Sequence, residues 1–236
     1  MLIIHKKPFN MGALLGVSFF MVLFLIFSPL FGGKNGLEYS DDLFNKLSKG
    51  SSYFIPKLTE EVKKFSGKNI GVTLKLDKPE VVEKTAKVLM VAGAQVGVQG
   101  SEVRIGADLG KMLSVVIKDS DAMYHNDAQK VAAAYGLEAT EVMSLWWGVL
   151  TKMDKELKKD KKVEESNVVS EVTKKGIEPA FNFFGIEAQR VSDKAGTMIG
   201  LLVFYVLYTM WWGYAIFYMF DGIGLSMKKA KVKKEV

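Results

Sequence analysis

The densest group of side chains that could bind a metal ion lies in a nine-residue stretch, residues 119–127, which reads Asp-Ser-Asp-Ala-Met-Tyr-His-Asn-Asp. Carboxylate oxygens and an imidazole nitrogen at such short range could hold a hard divalent cation. The glycine and the terminal glutamate that an EF-hand loop requires are missing, and the spacing matches no other diagnostic metal motif. The candidate ligands are Asp119, Asp121, His125 and Asp127.

A structural role explains the same stretch without a metal ion. One helix would end there, and Asn126 or Asp127 would act as the N-cap of the next, because short polar side chains accept hydrogen bonds from the free N–H groups of a first turn. The sequence leaves open whether a metal ever binds. We expect neither a metal site nor a cofactor.

The motifs that would identify an enzyme are missing from the sequence. It contains no GxSxG, HExxH, Walker A or GxGxxG pattern, no cysteine and only two histidines. Acid–base chemistry by carboxylates alone would remain, but no spacing selects a pair. The sequence therefore predicts a protein that is not an enzyme.

Residues 132–142 resemble the turn of a helix-turn-helix, with small residues and a glycine before a second helix. That second helix continues into Trp146, Trp147 and further apolar residues, so it is too apolar to read a DNA groove. We therefore predict a helical hairpin and no nucleic-acid partner. Because neighbouring residues lie about 100° apart on a helix, one tryptophan should be buried and the other should lie near a partner or near lipid headgroups.

Two uncharged stretches decide the class of protein. Residues 11–31 and 196–220 are 21 and 25 residues long and contain no charged side chain. Each can cross a hydrocarbon core of about 30 Å as a helix, so a purely soluble protein is excluded. The first stretch exceeds the roughly 7–15 apolar residues of a signal peptide and lacks a small-x-small cleavage site, which predicts a retained signal anchor.

The lysines at the two ends predict the orientation. Lys6 and Lys7 precede the first span, and five lysines follow the second, against only Asp221 and Glu235. Lysine-rich flanks stay on the cytoplasmic side, so both termini should be cytoplasmic and the segment between the spans periplasmic, in a bacterial inner membrane. The basic tail, which could also bind anionic lipid, carries Lys228, Lys229, Lys231, Lys233 and Lys234.

The segment between the spans predicts a helix-rich α+β domain. Residues 69–76 alternate apolar and polar as a half-buried strand does, residues 79–92 have a helical period, and residues 95–98 and 102–107 read as a hairpin. A helix between two strands favours a parallel pair, so we predict a small three-stranded mixed sheet. The predicted division is a tail over 1–10, a span over 11–31, a periplasmic domain over 32–195, a span over 196–220 and a basic tail over 221–236.

Both spans contain small residues suited to close packing. Gly12 and Gly16 lie in the first span, and Gly196 and Gly200 at the opposite depth of the second, so the two motifs cannot face each other within one chain. The second span also contains aromatic residues at mid-depth, where phenol and indole donors need partners that lipid cannot give. On one face these are Tyr205, Tyr208 and Trp212.

A heptad seam leads into the second span. Two series of apolar residues, each with a seven-residue repeat and offset by four, predict one helix that begins near Pro179 and continues to Phe220. The alternative is a break near Gly185, with the seam packed on the domain itself. The seam residues before the span are Ile177, Phe181, Phe184, Ala188, Val191 and Ala195.

This layout favours an accessory or scaffold subunit of an inner-membrane complex, with a periplasmic domain that binds a partner. The partner in the membrane would be another integral membrane protein or a further copy of the chain. The alternative is a sensor module, since the layout resembles that of two-span bacterial receptors. The tail of 16 residues is too short for an output domain, so a signal would have to pass to a separate protein.

Overall fold

The computed structural model describes residues 3–225, and the chain divides into two compact units. One unit combines the described residues up to Phe44 with those from Gln189 onward. The other, which we call the central domain, is Asn45–Ala188. The five lysines of the basic tail lie outside the described residues, so their role stays a prediction.

Within residues 3–225 the structure is mostly helical, with one small sheet. The helices are α1 (Lys6–Phe27), α2 (Gly36–Ser51), α3 (Ile55–Lys63), α4 (Pro79–Val91), α5 (Leu109–Tyr124), α6 (Ala128–Tyr135), α7 (Ala139–Lys159), α8 (Val163–Val172), α9 (Glu178–Asn182) and α10 (Ala195–Gly222). The strands are β1 (Asn69–Lys75), β2 (Gln95–Gln99) and β3 (Glu102–Asp108).

Helices α1 and α10 form an antiparallel pair in the first unit. They contain 22 and 28 residues, which correspond to lengths of about 33 and 42 Å. Both are long and apolar enough to cross a membrane. The backbone N–H groups of Ile4 and His5 donate to the carbonyl oxygen of Gly222 at 2.9 Å. The start of α1 and the end of α10 therefore lie at the same end of the pair.

The sheet is purely antiparallel, with the order β1-β3-β2. Strand β1 buries Ile70, Val72 and Leu74 on one face, as its alternating sequence predicts. The predicted mixed sheet is wrong, because β3 lies between the two strands that were expected to pair in parallel. Strand β3 carries the buried residues Val103 and Ile105 and belongs in the centre, whereas β2 is short and largely exposed.

The core of the central domain lies between the sheet and the helices around α5 and α7. Trp146 on α7 is completely buried, whereas its neighbour Trp147 is 46% exposed. The predicted division of this tryptophan pair is confirmed. The hairpin of α6 and α7 turns at Gly136, which has the positive φ of 60° that a helix C-cap favours.

The predicted continuous helix before α10 is not formed, and the structure has the alternative, a break near Gly185. Helix α9 ends at Asn182, and Gly185 adopts a φ of +79°, which ends any helical path. A 3-10 turn, Val191–Lys194, precedes α10. The seam residues therefore do not share a helix: Ile177 ends a π-helical turn, Phe181 lies on α9, Phe184 and Ala188 lie between helices, Val191 begins the 3-10 turn and Ala195 begins α10.

Asp108 joins β3 to α5. Its carboxylate accepts hydrogen bonds from the backbone N–H groups of Lys111, at 3.1 Å, and Gly67, at 2.9 Å. These bonds to the charged form hold the pKa of Asp108 below its ordinary value. Asp108 is thus the N-cap of α5. Beside it, the backbone of Gly110 packs directly on Phe65 and Ser66, and a Cβ added to Gly110 would lie only 2.5 Å from the Ser66 nitrogen.

We expect Gly110→Ala to lower the free energy of unfolding by about 1–3 kcal/mol, because the methyl group would push two backbone segments apart. Gly148→Ala on α7 is the matched control. Apart from the backbone of its own helix, no described atom lies within 4 Å of a Cβ there, so better helix propensity should stabilise the protein by about 0.5–1 kcal/mol. Denaturant unfolding of both variants measures the difference, and equal shifts would contradict the close approach at Gly110.

Candidate functional site

A cluster of polar and aromatic side chains surrounds a buried lysine in the central domain. Lys49 lies in the last turn of α2 and is only 2% exposed. The surrounding groups come from the chain just after α2, from the end of α5 and from the chain just after α5. We call these residues the Lys49 cluster: Lys49, Tyr53, Asp121, Tyr124, His125 and Asn126.

The ammonium group of Lys49 donates to three neutral oxygen atoms. Its Nζ lies 3.1 Å from Oδ1 of Asn126. It also lies 3.0 and 2.5 Å from the carbonyl oxygens of Phe183 and Ile186. All three donors of the ammonium are thereby used. Because these acceptors are uncharged, burial prevails and lowers the pKa of Lys49 below 10.5.

Asn126 also contacts the chain segment over residues 183–186 that Lys49 binds. Its φ of 63° lies in the left-handed region, which asparagine tolerates better than most residues. Its Oδ1 also accepts from the backbone N–H of Gly185 at 2.8 Å, and its Nδ2 donates to the Ile186 carbonyl at 3.2 Å. Lys49 and Asn126 together bind the chain over residues 183–186.

Aromatic rings close the cluster. The Tyr124 hydroxyl donates to the backbone carbonyl of Lys49, whose Nζ lies 5.1 Å from the centre of the same ring. The Tyr53 hydroxyl donates to Oδ1 of Asp121 at 2.7 Å. Partial burial, followed by this bond to a carboxylate, raises the pKa of Tyr53 to about 12. His125 Nδ1 lies 3.2 Å from the same carboxylate oxygen.

The Lys49 cluster fixes the two ends of the central domain to each other. Lys49 is near the beginning of the domain, and residues 183–186 are near its end. The contacts join positions that are 134 and 137 residues apart in the chain. A change in the domain that moved either end would have to break these bonds.

The candidate metal ligands point to different places. Asp127 is the N-cap of α6, where it accepts from the Lys130 N–H at 3.2 Å, as the structural reading predicts. Asp121 and His125 belong to the Lys49 cluster, and Asp119 lies on the buried side of α5. Within residues 3–225, no group of three or more His, Cys, Asp or Glu side chains could hold a metal ion.

Asp119 forms a second buried polar centre. Its Oδ2 accepts from the Tyr135 hydroxyl at 2.5 Å and from Trp146 Nε1 at 3.0 Å. Burial raises the pKa of Asp119, although these two bonds act in the opposite direction. Burial and the neighbouring carboxylate also raise the pKa of Tyr135. This centre holds α5, α6 and α7 together.

Exposed aromatic residues line a cleft on the surface of the central domain. The cleft has a volume of about 350 Å³ and lies between α7 and α9. Trp147 and Phe181, each 46% exposed, form its apolar walls. The Trp147 indole donates to Glu178 Oε1 at 3.1 Å, which fixes the ring. A rigid, half-exposed indole of this kind is typical of protein-binding surfaces.

The contact between α1 and α10 depends on small residues and aromatic donors. An added Cβ on Gly12 would lie 2.5 Å from the backbone nitrogen of Met219, so glycine permits the close approach. The Tyr208 hydroxyl donates to the Phe19 carbonyl at 3.3 Å. Trp211 Nε1, which the sequence analysis did not select, donates to the Leu15 carbonyl at 3.1 Å. These donors thus have partners within the chain itself.

The remaining residues predicted to pack in the membrane divide into two groups. Gly16 is buried, and the Trp212 ring lies 4.7 Å from the Phe19 ring, centre to centre. On α10, Tyr205 is 68% exposed, and no described atom lies within 4 Å of a Cβ built on Gly196 or Gly200. Tyr205 therefore does not share the inner face with Tyr208 and Trp212.

Comparison with known proteins gives no relative. The chain matches no protein-family model, and no curated protein or solved structure is significantly similar to it. Its function therefore has to be inferred from the geometry of the described residues.

Sequence reasoning missed the centre of this site. Lys49 lies among Ser, Lys and Gly residues, a composition that is typical of a solvated helix end. A buried lysine without a carboxylate partner leaves no pattern in the sequence. The one available signal was Asn126, whose place after a helix and before a capping aspartate fits a left-handed turn.

Proposed function

We propose that the protein is a non-enzymatic accessory or scaffold subunit of an inner-membrane complex. In this proposal α1 and α10 cross the membrane, and the central domain binds a partner in the periplasm. The membrane partner is another integral membrane protein or a further copy of the chain. The lysine-rich ends keep both termini in the cytoplasm.

The antiparallel pair of α1 and α10 is the observation that carries this proposal. Its inner face satisfies the aromatic donors Tyr208 and Trp211 within the chain. Its outer face remains apolar and exposed at Ile199, Leu202 and Tyr205. An exposed apolar face of this kind suits a hydrocarbon environment and can pack against further helices.

The polar side chains of the central domain support a binding role. Its buried ionisable side chains Lys49 and Asp119 are used in internal contacts that hold helices or chain ends. The exposed aromatic cleft at Trp147 and Phe181 offers an apolar surface instead. This arrangement fits a domain that binds another protein through the cleft at Trp147 and Phe181.

A sensor module is the second candidate, and the Lys49 cluster favours it. A ligand that altered the packing of α5 would act on Tyr124 and Asn126, and through them on residues 183–186. Such a movement would reach the chain that continues to α10. In this second candidate the signal passes to a separate protein.

Site-specific photo-crosslinking in native membranes tests the subunit proposal. We expect a crosslinker at the exposed Tyr205 to capture a membrane protein as one discrete adduct. The same crosslinker at Tyr208 should mainly react within its own chain, because that side chain lies against Phe19. A discrete protein adduct at Tyr205 would support the proposal, and reaction with lipid alone would contradict it.

The orientation needs its own measurement. A reporter that is active only in the cytoplasm, fused in the middle of the central domain, should be inactive. The same reporter fused after Val236, so that the basic tail is retained, should be active. The reverse result would place the domain in the cytoplasm and overturn the proposed orientation.

A further inference from the structure

The outer edge of β2 is open. One side of β2 pairs with β3, from Gln95 opposite Gly106 to Gln99 opposite Glu102. On the other side, no strand in residues 3–225 pairs with it, and no described loop or helix forms a backbone–backbone hydrogen bond with it. Unpaired strand edges are ready sites for pairing with another chain.

Strand β2 lacks the usual protection of an edge strand. Proteins commonly guard such edges with lysine, proline, a bulge or a covering segment. The sequence of β2 is Gln-Val-Gly-Val-Gln, with neither a charge nor a proline. The opposite edge strand, β1, differs, since it ends in Lys75, whose carbonyl accepts from Lys152 Nζ at 2.9 Å.

The sequence of β2 reads the same in both directions. If two copies pair antiparallel about a two-fold axis at Gly97, each valine lies opposite a valine and each glutamine opposite a glutamine. Every side chain also keeps its own face of the sheet, because opposite residues in a pair point to the same side. A strand that is complementary to itself fits the symmetric interface of a two-fold dimer.

Apolar side chains flank this edge. Val98 is 52% exposed, and Met90 on the adjoining helix α4 is 57% exposed. Both line a groove between α4 and the sheet. A second copy that paired along β2 would bring its own Val96 and Val98 towards this groove and remove apolar surface from water.

We propose that the central domain forms a homodimer by antiparallel pairing of β2 with β2 of a second copy. The two three-stranded sheets then become one continuous six-stranded sheet. The palindromic, uncharged sequence of β2 favours a second copy as the partner, because pairing with an unrelated strand would not require this symmetry. This dimer does not depend on the proposed function in the membrane.

The absence of cysteine from the chain permits a direct test. In Gly97→Cys, the thiols of two paired copies would face each other across the two-fold axis, on Cα atoms about 4.5–5.5 Å apart. That separation suits a disulfide bond. The substitution itself should be tolerated, because an added Cβ would lie 3.8 Å from its nearest described neighbour, the Cβ of Arg104.

Gly71→Cys is the matched control. Gly71 lies on the same exposed face but on the far strand β1, opposite Gly106, and no described atom lies within 4 Å of a Cβ there. The full-length chain is purified in mild detergent and oxidised gently, and dimers are measured on non-reducing gels. We expect a discrete disulfide dimer for Gly97→Cys, and about fivefold less for Gly71→Cys.

A second variant separates this interface from a dimer held elsewhere. Val98→Lys, added to Gly97→Cys, places like charges on both paired strands and should reduce the disulfide dimer by about fivefold. Val98 is exposed, so the fold should remain intact, which circular dichroism checks. Equal crosslinking of the two cysteines, or no effect of Val98→Lys, would overturn the proposal.

Discussion

Replacing Lys49 by methionine should lower the free energy of unfolding of the central domain by about 3 kcal/mol or more. Methionine keeps most of the volume of the side chain but donates no hydrogen bond. The carbonyl oxygen of Phe183 would then lose its donor, and that of Ile186 would keep only the 3.2 Å bond from Asn126 Nδ2. A hydrogen bond from a charged group contributes about 1.5–3 kcal/mol, and the replacement removes three of them. Chemical denaturation of the full-length chain, followed by circular dichroism, measures the loss.

Lys118→Met is the control for this experiment. Lys118 is an exposed lysine on α5, so its replacement should change the free energy of unfolding by less than about 0.5 kcal/mol. Limited proteolysis adds a local measurement, because residues 183–186 should be cleaved faster when Lys49 no longer holds them. Equal stability of the two variants would show that Lys49 does not hold the ends of the domain.

The second large effect is expected at Asp119. Asp119→Leu would leave the Tyr135 hydroxyl and the Trp146 indole as buried donors without an acceptor, a loss of about 2–5 kcal/mol. Asp119→Asn keeps an oxygen that can accept both bonds and should lose much less. Denaturant unfolding of the two variants checks this order, and an equal loss would show that the carboxylate charge, rather than the acceptor, is required.

The pH dependence of stability should also change at Asp119. Burial raises its pKa in the folded protein above the ordinary value of 3.8. Between the pKa of Asp119 in the unfolded chain and its higher pKa in the folded protein, the folded protein binds more protons than the unfolded chain. Protonation of Asp119 therefore stabilises the folded protein at low pH, and this stabilisation is lost as the pH rises. From pH 7 towards pH 4, the wild type should therefore gain stability relative to Asp119→Asn. Parallel stability curves for the two proteins would contradict this.

The sequence predicts those features that depend on local patterns. Uncharged length identifies α1 and α10, alternation identifies β1, and capping chemistry identifies Asp127 at the start of α6. The division between Trp146 and Trp147 follows from helical geometry alone. Each of these features is encoded within a few neighbouring residues.

Features that depend on distant residues could not be predicted in this way. The central position of β3 results from pairing with β1 across about 30 intervening residues. The burial of Lys49 requires acceptors more than 130 residues away. The break near Gly185 could be stated only as an alternative, because the bond that holds Gly185 comes from Asn126, 59 residues earlier in the chain.

The candidate site therefore has a mixed origin. The sequence predicts a concentration of polar groups at the end of a helix over residues 119–127, and the structure has this arrangement. In the structure Asp119 contacts Tyr135, whereas Asn126 contacts Gly185, so two residues of this stretch hold different parts of the chain. Only the three-dimensional structure shows that Lys49 joins this stretch.

The contact between Lys49 and Ile186 closes a loop of 137 residues without a covalent bond. Closing a long loop costs conformational entropy, and this cost is lower when the ends are already held near each other. Helices α1 and α10 lie before and after this loop in the chain and pack against each other. Their contact therefore keeps the two ends of the loop near each other independently of Lys49. The packing of α1 against α10 would thus act on the central domain as a crosslink does, because it removes extended conformations from the unfolded ensemble of the domain.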